Sequence, residues 1–188
     1  MANPRRIYWE ACTWIALIQK EKIHAPNGRL LEDRYGLCRN VINAAAAGQI
    51  EIATSTFTLS EVCKNPDVKD TSEDKIAAFF ENDYVLLVNL DRAVAERARA
   101  LLRMGFSKLK PPDACHLASA ALANAEEMHT YDDKLLVLDG RIDKADGTKL
   151  KICKPDPGGK PAPLLEAMKG KGNDEPPPQN EESAGEKA

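Results

Sequence analysis

Apolar positions in this chain alternate between two patterns: short β-prone runs, and residues recurring at helical spacing. Ile7, Tyr8 and Trp9 form a continuous apolar run, which predicts a buried central strand from Arg5 to Glu10. Trp14, Leu17 and Ile18 then share one helical face, and Ala25-Pro26-Asn27-Gly28 breaks the chain. A longer helix is predicted from about Leu30 to Ala47, with Leu31, Tyr35, Cys38, Ile42 and Ala45 as its inward stripe and Gly48 closing it. Gln49 to Thr54 reads as a second strand. Thr58-Leu59-Ser60-Glu61 opens a helix that Asn65-Pro66 ends, and Thr71-Ser72-Glu73-Asp74 opens another carrying Ile76, Phe79 and Phe80. Tyr84 to Leu90 is the clearest strand. Asp91 caps the helix after it, whose buried face is Val94, Ala98, Leu101 and Leu102.

The stretch from Pro111 to Leu135 organises the rest. From Asp113, Ala114, Leu117, Ala118, Ala121 and Leu122 recur at helical spacing, and their small size lets a helix lie close to a sheet. Met128 to Tyr131 is short and β-prone, and Asp132-Asp133 follows at once. Lys149 to Cys153 reads as a last, edge-like strand with outward lysines. Strands alternating with helices predict an α/β protein with a parallel sheet and helices on both faces. From about Pro155, Pro, Gly, Glu and Lys dominate, too polar to offset ordering entropy, so residues 154–188 are expected to be a disordered tail to a domain of residues 1–153. Within it, Leu164, Leu165 and Met168 have the spacing for a short docking helix.

Composition narrows the function classes. With 188 residues, 43% hydrophobic, there is material for one domain with a real core. A net charge of -3 provides no global basic field, so any nucleic-acid contact must be local. One local strip exists: Arg92, Arg97, Arg99, Arg103, Lys108 and Lys110, set against Asp91 and Glu96, leads to Asp113. It is either a solvated surface or a seat for a phosphate backbone, with Arg99, Arg103, Lys108 and Lys110 as the candidate RNA contacts. Five cysteines, Cys12, Cys38, Cys63, Cys115 and Cys153, lack metal spacing and read as reduced thiols of a cytoplasmic protein. No signal peptide, membrane span or repeat is evident, nor a Walker loop, GxGxxG or GxSxG.

The candidate chemistry lies in four acids placed at strand ends or helix starts: Glu10, Glu61, Asp113 and Asp132. Each has a structural alternative. Glu61 completes a capping box with Thr58, Asp113 after Pro-Pro is a good N-cap, and Asp132 suits a turn. Glu10 is harder to dismiss, because a carboxylate ending an apolar central strand is costly unless solvated, paired or bound to metal. Gathered at one sheet edge, these carboxylates would suit Mg²⁺ or Mn²⁺ with water oxygens. His116, one turn after Asp113 on the same face, either orients a carboxylate or packs as a hydrogen-bonded histidine.

At these residues the chain resembles the PIN domain family, which includes metal-dependent ribonucleases such as the VapC-type toxins. Most specific are PPDACHLASAALANA followed by HTYDDKL, similar to the family's D-A-x-H-L-A helix and T-F-D-x-x-L strand end. TLSEV, with Glu61, matches the T-x-x-E element, and IYWEACTWIAL resembles the opening strand. The resemblance covers about Arg5 to Cys153. It implies a three-layer PIN-like fold, with a central parallel sheet of about five strands and an acidic pocket at their C-terminal ends. It further implies Mg²⁺ or Mn²⁺ and hydrolysis of RNA phosphodiesters by metal-activated water. Glu10 and Asp113 would be core ligands, with Glu61 and Asp132 on metal-held water or a second ion. An antitoxin partner and a homodimer are candidate assemblies that the sequence leaves open.

The opening block departs from the family pattern. Glu10 stands in place of the usual aspartate, Ala11 of threonine, and Cys12 of Asn or Ser. Glutamate is longer, and the lost polar neighbours would weaken metal binding. The sequence therefore supports two readings: a metal-dependent endoribonuclease using Glu10, Glu61, Asp113 and Asp132, and a catalytically degenerate PIN-like module that binds RNA or a protein without cleavage. A metal-dependent phosphatase ranks below both, since the first strand lacks a DxD nucleophile.

Overall fold

The computed structural model describes residues 4–62, 73–106 and 108–156, and the side chains of residues 73–75 are not among the described ones. The chain divides into Met1–Pro157 and Gly158–Ala188; the second unit, with the expected tail helix at Leu164 to Met168, lies outside the described residues, as do Cys63, Asn65-Pro66 and Thr71-Ser72.

Strands β1 (Arg5–Trp9), β4 (Ile50–Ser55), β5 (Val85–Val88), β6 (Glu127–His129), β7 (Ile142–Asp143) and β8 (Lys149–Cys153) form one sheet among the described residues, in the order β5-β4-β1-β6-β8-β7. Its pairings are parallel except β7 with β8. The sheet thus has six strands where about five were expected. Ile142–Asp143 is too short for its pattern to announce a strand. Its presence moves the edge outward: Lys149–Cys153 pairs on both sides and is not an edge, although its lysines do alternate outward. The clearest run, Tyr84 to Leu90, forms the opposite edge and pairs over a shorter length, because hydropathy reports burial potential and not position in a sheet.

The pleat splits the core in two. Ile7 and Trp9 point to one face and Tyr8 to the other. On the first face, α1 (Ala11–Ile18), α2 (Arg34–Ala46) and α4 (Glu73–Phe80) pack over Ile50 and Ile52. There Trp14 meets the Trp9 ring at a centroid distance of 4.8 Å and the Phe80 ring at 4.7 Å. On the second face lie α5 (Arg92–Arg103) and α6 (Pro111–Leu122), where Ala114, Leu117, Ala118 and Ala121 close on Tyr8, Ala53 and Met128. Sheet and two helical layers make the three-layer α/β architecture.

Three local expectations are corrected. The segment before α2 is not helical: β3 (Leu30–Glu32) pairs antiparallel with β2 (Ile23–His24), and Leu31 is 56% exposed. Asp33 caps α2 through a bond from the Gly36 N–H, so the helix begins at Arg34, and its buried residues are Cys38, Val41 and Ala45. Gly48, at φ +71°, closes it as expected. Leu102 lies on the solvent side of α5, whose inward stripe is Val94, Ala98 and Leu101. Asp113 is not the N-cap of α6 but its third residue, the two prolines supplying the first turn.

Candidate metal centre at the sheet edge

Connections from β1 lead to β4 and β5 on one side, while β6 and β8 lie on the other. The C-terminal ends of β1, β4 and β6 therefore border a switch point, where open α/β sheets bind ligands. Glu10 leaves the end of β1, and its carboxylate caps α1 by accepting the Cys12 N–H at 3.2 Å. The Thr130 hydroxyl, just past β6, donates to the same Oε2 at 3.2 Å.

Glu61 ends the short helix α3 (Thr58–Glu61), which follows β4. Its N-cap is Phe57 with no side-chain cap, so the expected Thr58–Glu61 capping box is not the arrangement found. Thr58 instead turns inward, its hydroxyl 2.9 Å from that of Thr54. The Glu61 Oε2 meets Nε2 of His116 at 2.5 Å, and the other ring nitrogen of His116 lies 2.8 Å from the Tyr8 hydroxyl. One ligand atom each from Glu10, Glu61 and His116 lies within 4.8 Å of the others. The two carboxylates at that separation fit a divalent ion bound through oxygen donors, with the imidazole hydrogen-bonded to one of them.

Asp113 and Asp132 belong to no such group among the described residues. Asp113 Oδ2 accepts the Lys110 N–H at 3.3 Å, and Asp132 caps α7 (Asp133–Leu136) by accepting the Lys134 N–H at 2.8 Å. Both still adjoin the site along the chain. Asp113 precedes His116 by one turn of α6, and the Asp132 N–H donates to the Thr130 hydroxyl at 3.0 Å.

Thr130 was not singled out in the sequence. It supplies a hydroxyl to the Glu10 carboxylate from another strand, and only the β1–β6 pairing reveals this. Cys12 keeps a polar role too. Its Sγ accepts the Tyr131 N–H at 3.1 Å and lies 3.4 Å from the Thr130 hydroxyl. Burial, followed by the Glu10 charge, pushes the Cys12 thiol well above the ordinary thiol range, so it stays neutral beside the carboxylate. Cys12, Cys38, Cys115 and Cys153 are all free thiols. In the basic strip, Arg99, Arg103, Lys108 and Lys110 are exposed, whereas Arg92 pairs with Glu96 and Arg97 binds the Asp143 carbonyl.

A second group, Glu127, His129 and Cys153, is arranged differently. The Trp9 indole N–H donates to Nδ1 of His129 at 3.2 Å, so a neutral ring carries its proton on Nε2, facing Glu127. Arg5, Lys151 and the Cys153 thiol also donate to Glu127. The His129 N–H first, then Lys151 and Arg5, hold the Glu127 carboxyl at about 2, and burial lowers His129 below its ordinary value. With its nitrogen protonated and both carboxylate oxygens engaged, this is a closed hydrogen-bond cluster. It knits β1, β6 and β8.

Residues 7–141 match the PIN domain family, and the chain belongs to it. Among solved structures, it is similar to VapBC2 from Rickettsia felis bound to a DNA fragment from their promoter, at 17% identity and a TM-score of 0.51, over 78% of this chain and 98% of that one. It also resembles VapC20 of Mycobacterium tuberculosis, a sarcin-ricin loop cleaving toxin, at 18% identity and a TM-score of 0.48, over 70% and 94% of the two chains. A toxin-antitoxin complex from Klebsiella pneumoniae is similar at 25% identity and a TM-score of 0.45, over 67% and 86%. No curated protein matches the chain. Among the described residues, no helix is long and apolar enough to cross a membrane.

Proposed function

We propose that this PIN-domain protein is a metal-dependent endoribonuclease and the toxin of a toxin–antitoxin pair, acting in the cytoplasm. The observation that carries this is the convergence of Glu10, Glu61 and His116 Nε2 within 4.8 Å, at the switch point of a family sheet. Glu10 and Glu61 would hold Mg²⁺ or Mn²⁺. Asp113 and Asp132 would complete the acidic site through water, from one helical turn and one hydrogen bond away. A divalent ion there supplies Lewis-acid charge and activates water for attack on phosphorus. Thr130 and the Cys12 N–H orient Glu10. Arg99, Arg103, Lys108 and Lys110 would hold the RNA backbone, an interaction that places the strand without reading its sequence. The proposed partners are RNA, an antitoxin protein and a second copy of the chain. Residues 1–153 form the nuclease domain and 154–188 the tail.

A second reading, a PIN module that binds RNA or protein without cutting, is favoured by one observation: Asp113 and Asp132 are engaged with helix N–H groups. The test is incubation of the purified chain with a mixed pool of structured and single-stranded RNAs, under Mn²⁺, Mg²⁺ or EDTA, beside Asp113→Asn. Metal-dependent cleavage that Asp113→Asn abolishes, with its melting temperature kept, supports the nuclease. Cleavage unchanged in that variant overturns the site assignment. No measurable affinity for either ion at millimolar concentration favours the binder.

A further inference from the structure

Glu61 poses a problem of placement. It is the last residue of a four-residue helix whose N-terminus has no side-chain cap. One constraint on its carboxylate comes from across the molecule. The Ser55 N–H, on β4, donates to the Tyr8 hydroxyl at 3.1 Å. That hydroxyl lies 2.8 Å from Nδ1 of His116, and Nε2 of His116 meets Glu61. Tyr8 is fully buried and His116 is 1% exposed, so water does not compete for either bond.

The Tyr8 oxygen accepts the Ser55 N–H and shares a hydrogen bond with Nδ1 of the ring. A carboxylate only accepts, so the ring N–H at Nε2 donates to Glu61. The His116 ring is held laterally as well, by Phe57 at a centroid distance of 5.9 Å.

We propose that His116 is a positioning residue for the divalent ion, acting through Glu61: the Ser55–Tyr8–His116 relay fixes the Glu61 carboxylate opposite Glu10 and does not itself ligate the ion. This rests on the reading of Glu10 and Glu61 as ion ligands. The relay joins β4, β1, α6 and α3, and so sets the distance between the two carboxylates through rigid elements. An oxygen-binding ion with strict geometry is sensitive to that distance.

The two nitrogens of the ring can be tested separately. In His116→Gln the longer amide reaches the Nε2 position and still donates to Glu61. In His116→Asn the amide reaches only the Nδ1 position, near Tyr8. The full chain would be titrated with Mn²⁺, following the free ion by electron paramagnetic resonance, with urea unfolding of each variant in parallel. His116→Asn is expected to weaken Mn²⁺ binding about tenfold or more, and His116→Gln by less than about threefold, at comparable losses of stability. Tyr8→Phe, which removes the relay's middle link, is expected to fall between them. Equal weakening by Gln and Asn, or no weakening by Asn, would overturn the inference alone. So would a directly bound nitrogen in the pulsed resonance spectrum of the Mn²⁺-loaded chain, since His116 would then be a ligand. Failure of the wild-type chain to bind Mn²⁺ would overturn the site reading, and the inference with it.

Discussion

The Thr130 hydroxyl donates to Oε2 of Glu10 across 120 residues of sequence. It sits at the end of β6, beside the end of β1, and also accepts the Asp132 N–H at 3.0 Å. Glu10, followed by an alanine with no hydroxyl to offer, thus has a hydroxyl partner from the segment just past the neighbouring strand. Thr130→Val keeps the shape and removes this partner. It is expected to weaken Mn²⁺ binding about tenfold or more and to cost about 1–2 kcal/mol of stability, because the Asp132 N–H loses its acceptor. Isothermal titration with Mn²⁺ and urea unfolding would check the two effects independently.

Acid is expected to unfold the protein through Glu127 and His129. The Glu127 carboxyl sits at about 2 when folded, against 4.5 for the free group, held there first by the His129 N–H and then by Lys151 and Arg5. Its folded value is depressed, so its stabilisation is complete above about pH 4.5 and is lost as the pH falls toward 2. The linkage is about 3 kcal/mol as an upper order of magnitude. Burial depresses His129 below 6.5, so the unfolded chain takes up that proton first and stability begins to fall below pH 6.5. Urea unfolding at pH 7.5, 5.5 and 3.5 should show a stepwise decline, and Glu127→Gln should flatten the portion below pH 4.5.

The start of α2 can be tested by a pair of substitutions. Leu31 is exposed on the β2–β3 hairpin, while Val41 is fully buried in α2. Leu31→Asp is expected to change stability by less than about 0.5 kcal/mol. Val41→Asp buries an unpaired carboxylate and should leave little folded protein. Circular dichroism melts of the two variants would decide between the hairpin and a helix running from Leu30.

Salt dependence would test the basic strip. Arg99 and Arg103 are exposed on α5. If both contact phosphate, Arg99→Ala/Arg103→Ala should lower the slope of log affinity against log salt for single-stranded RNA by roughly 1.4, at about 0.7 per contact. Filter binding between 50 and 200 mM salt measures it, and the melting temperature should stay close to that of the parent chain.

Much of the architecture was legible because it depends on local pattern. Ile7-Tyr8-Trp9 marked a central strand, Asp91 a helix cap, Gly48 a helix end, and the alanines of α6 a helix lying close to a sheet. In each, the deciding interaction lies within a few residues, or is burial that hydropathy reports directly. Glu10 was legible in the same way, from its place at a strand end, whereas Glu61, expected in the first turn of a longer helix, is the last residue of α3.

What only the tertiary structure decided depends on pairing between distant segments. Leu31 has the apolarity of a core residue, yet Asp33 competes for the helix start and leaves it on a hairpin. KLKIC alternates like an edge strand, but a two-residue strand covers that edge. The partners of Glu10 and Glu61, Thr130 and His116, arrive from β6 and α6, and nothing local to either acid specifies them. Sequence alone placed Glu10 at the end of a strand. Long-range hydrogen bonds, set by strand order and register, determined which atoms meet there.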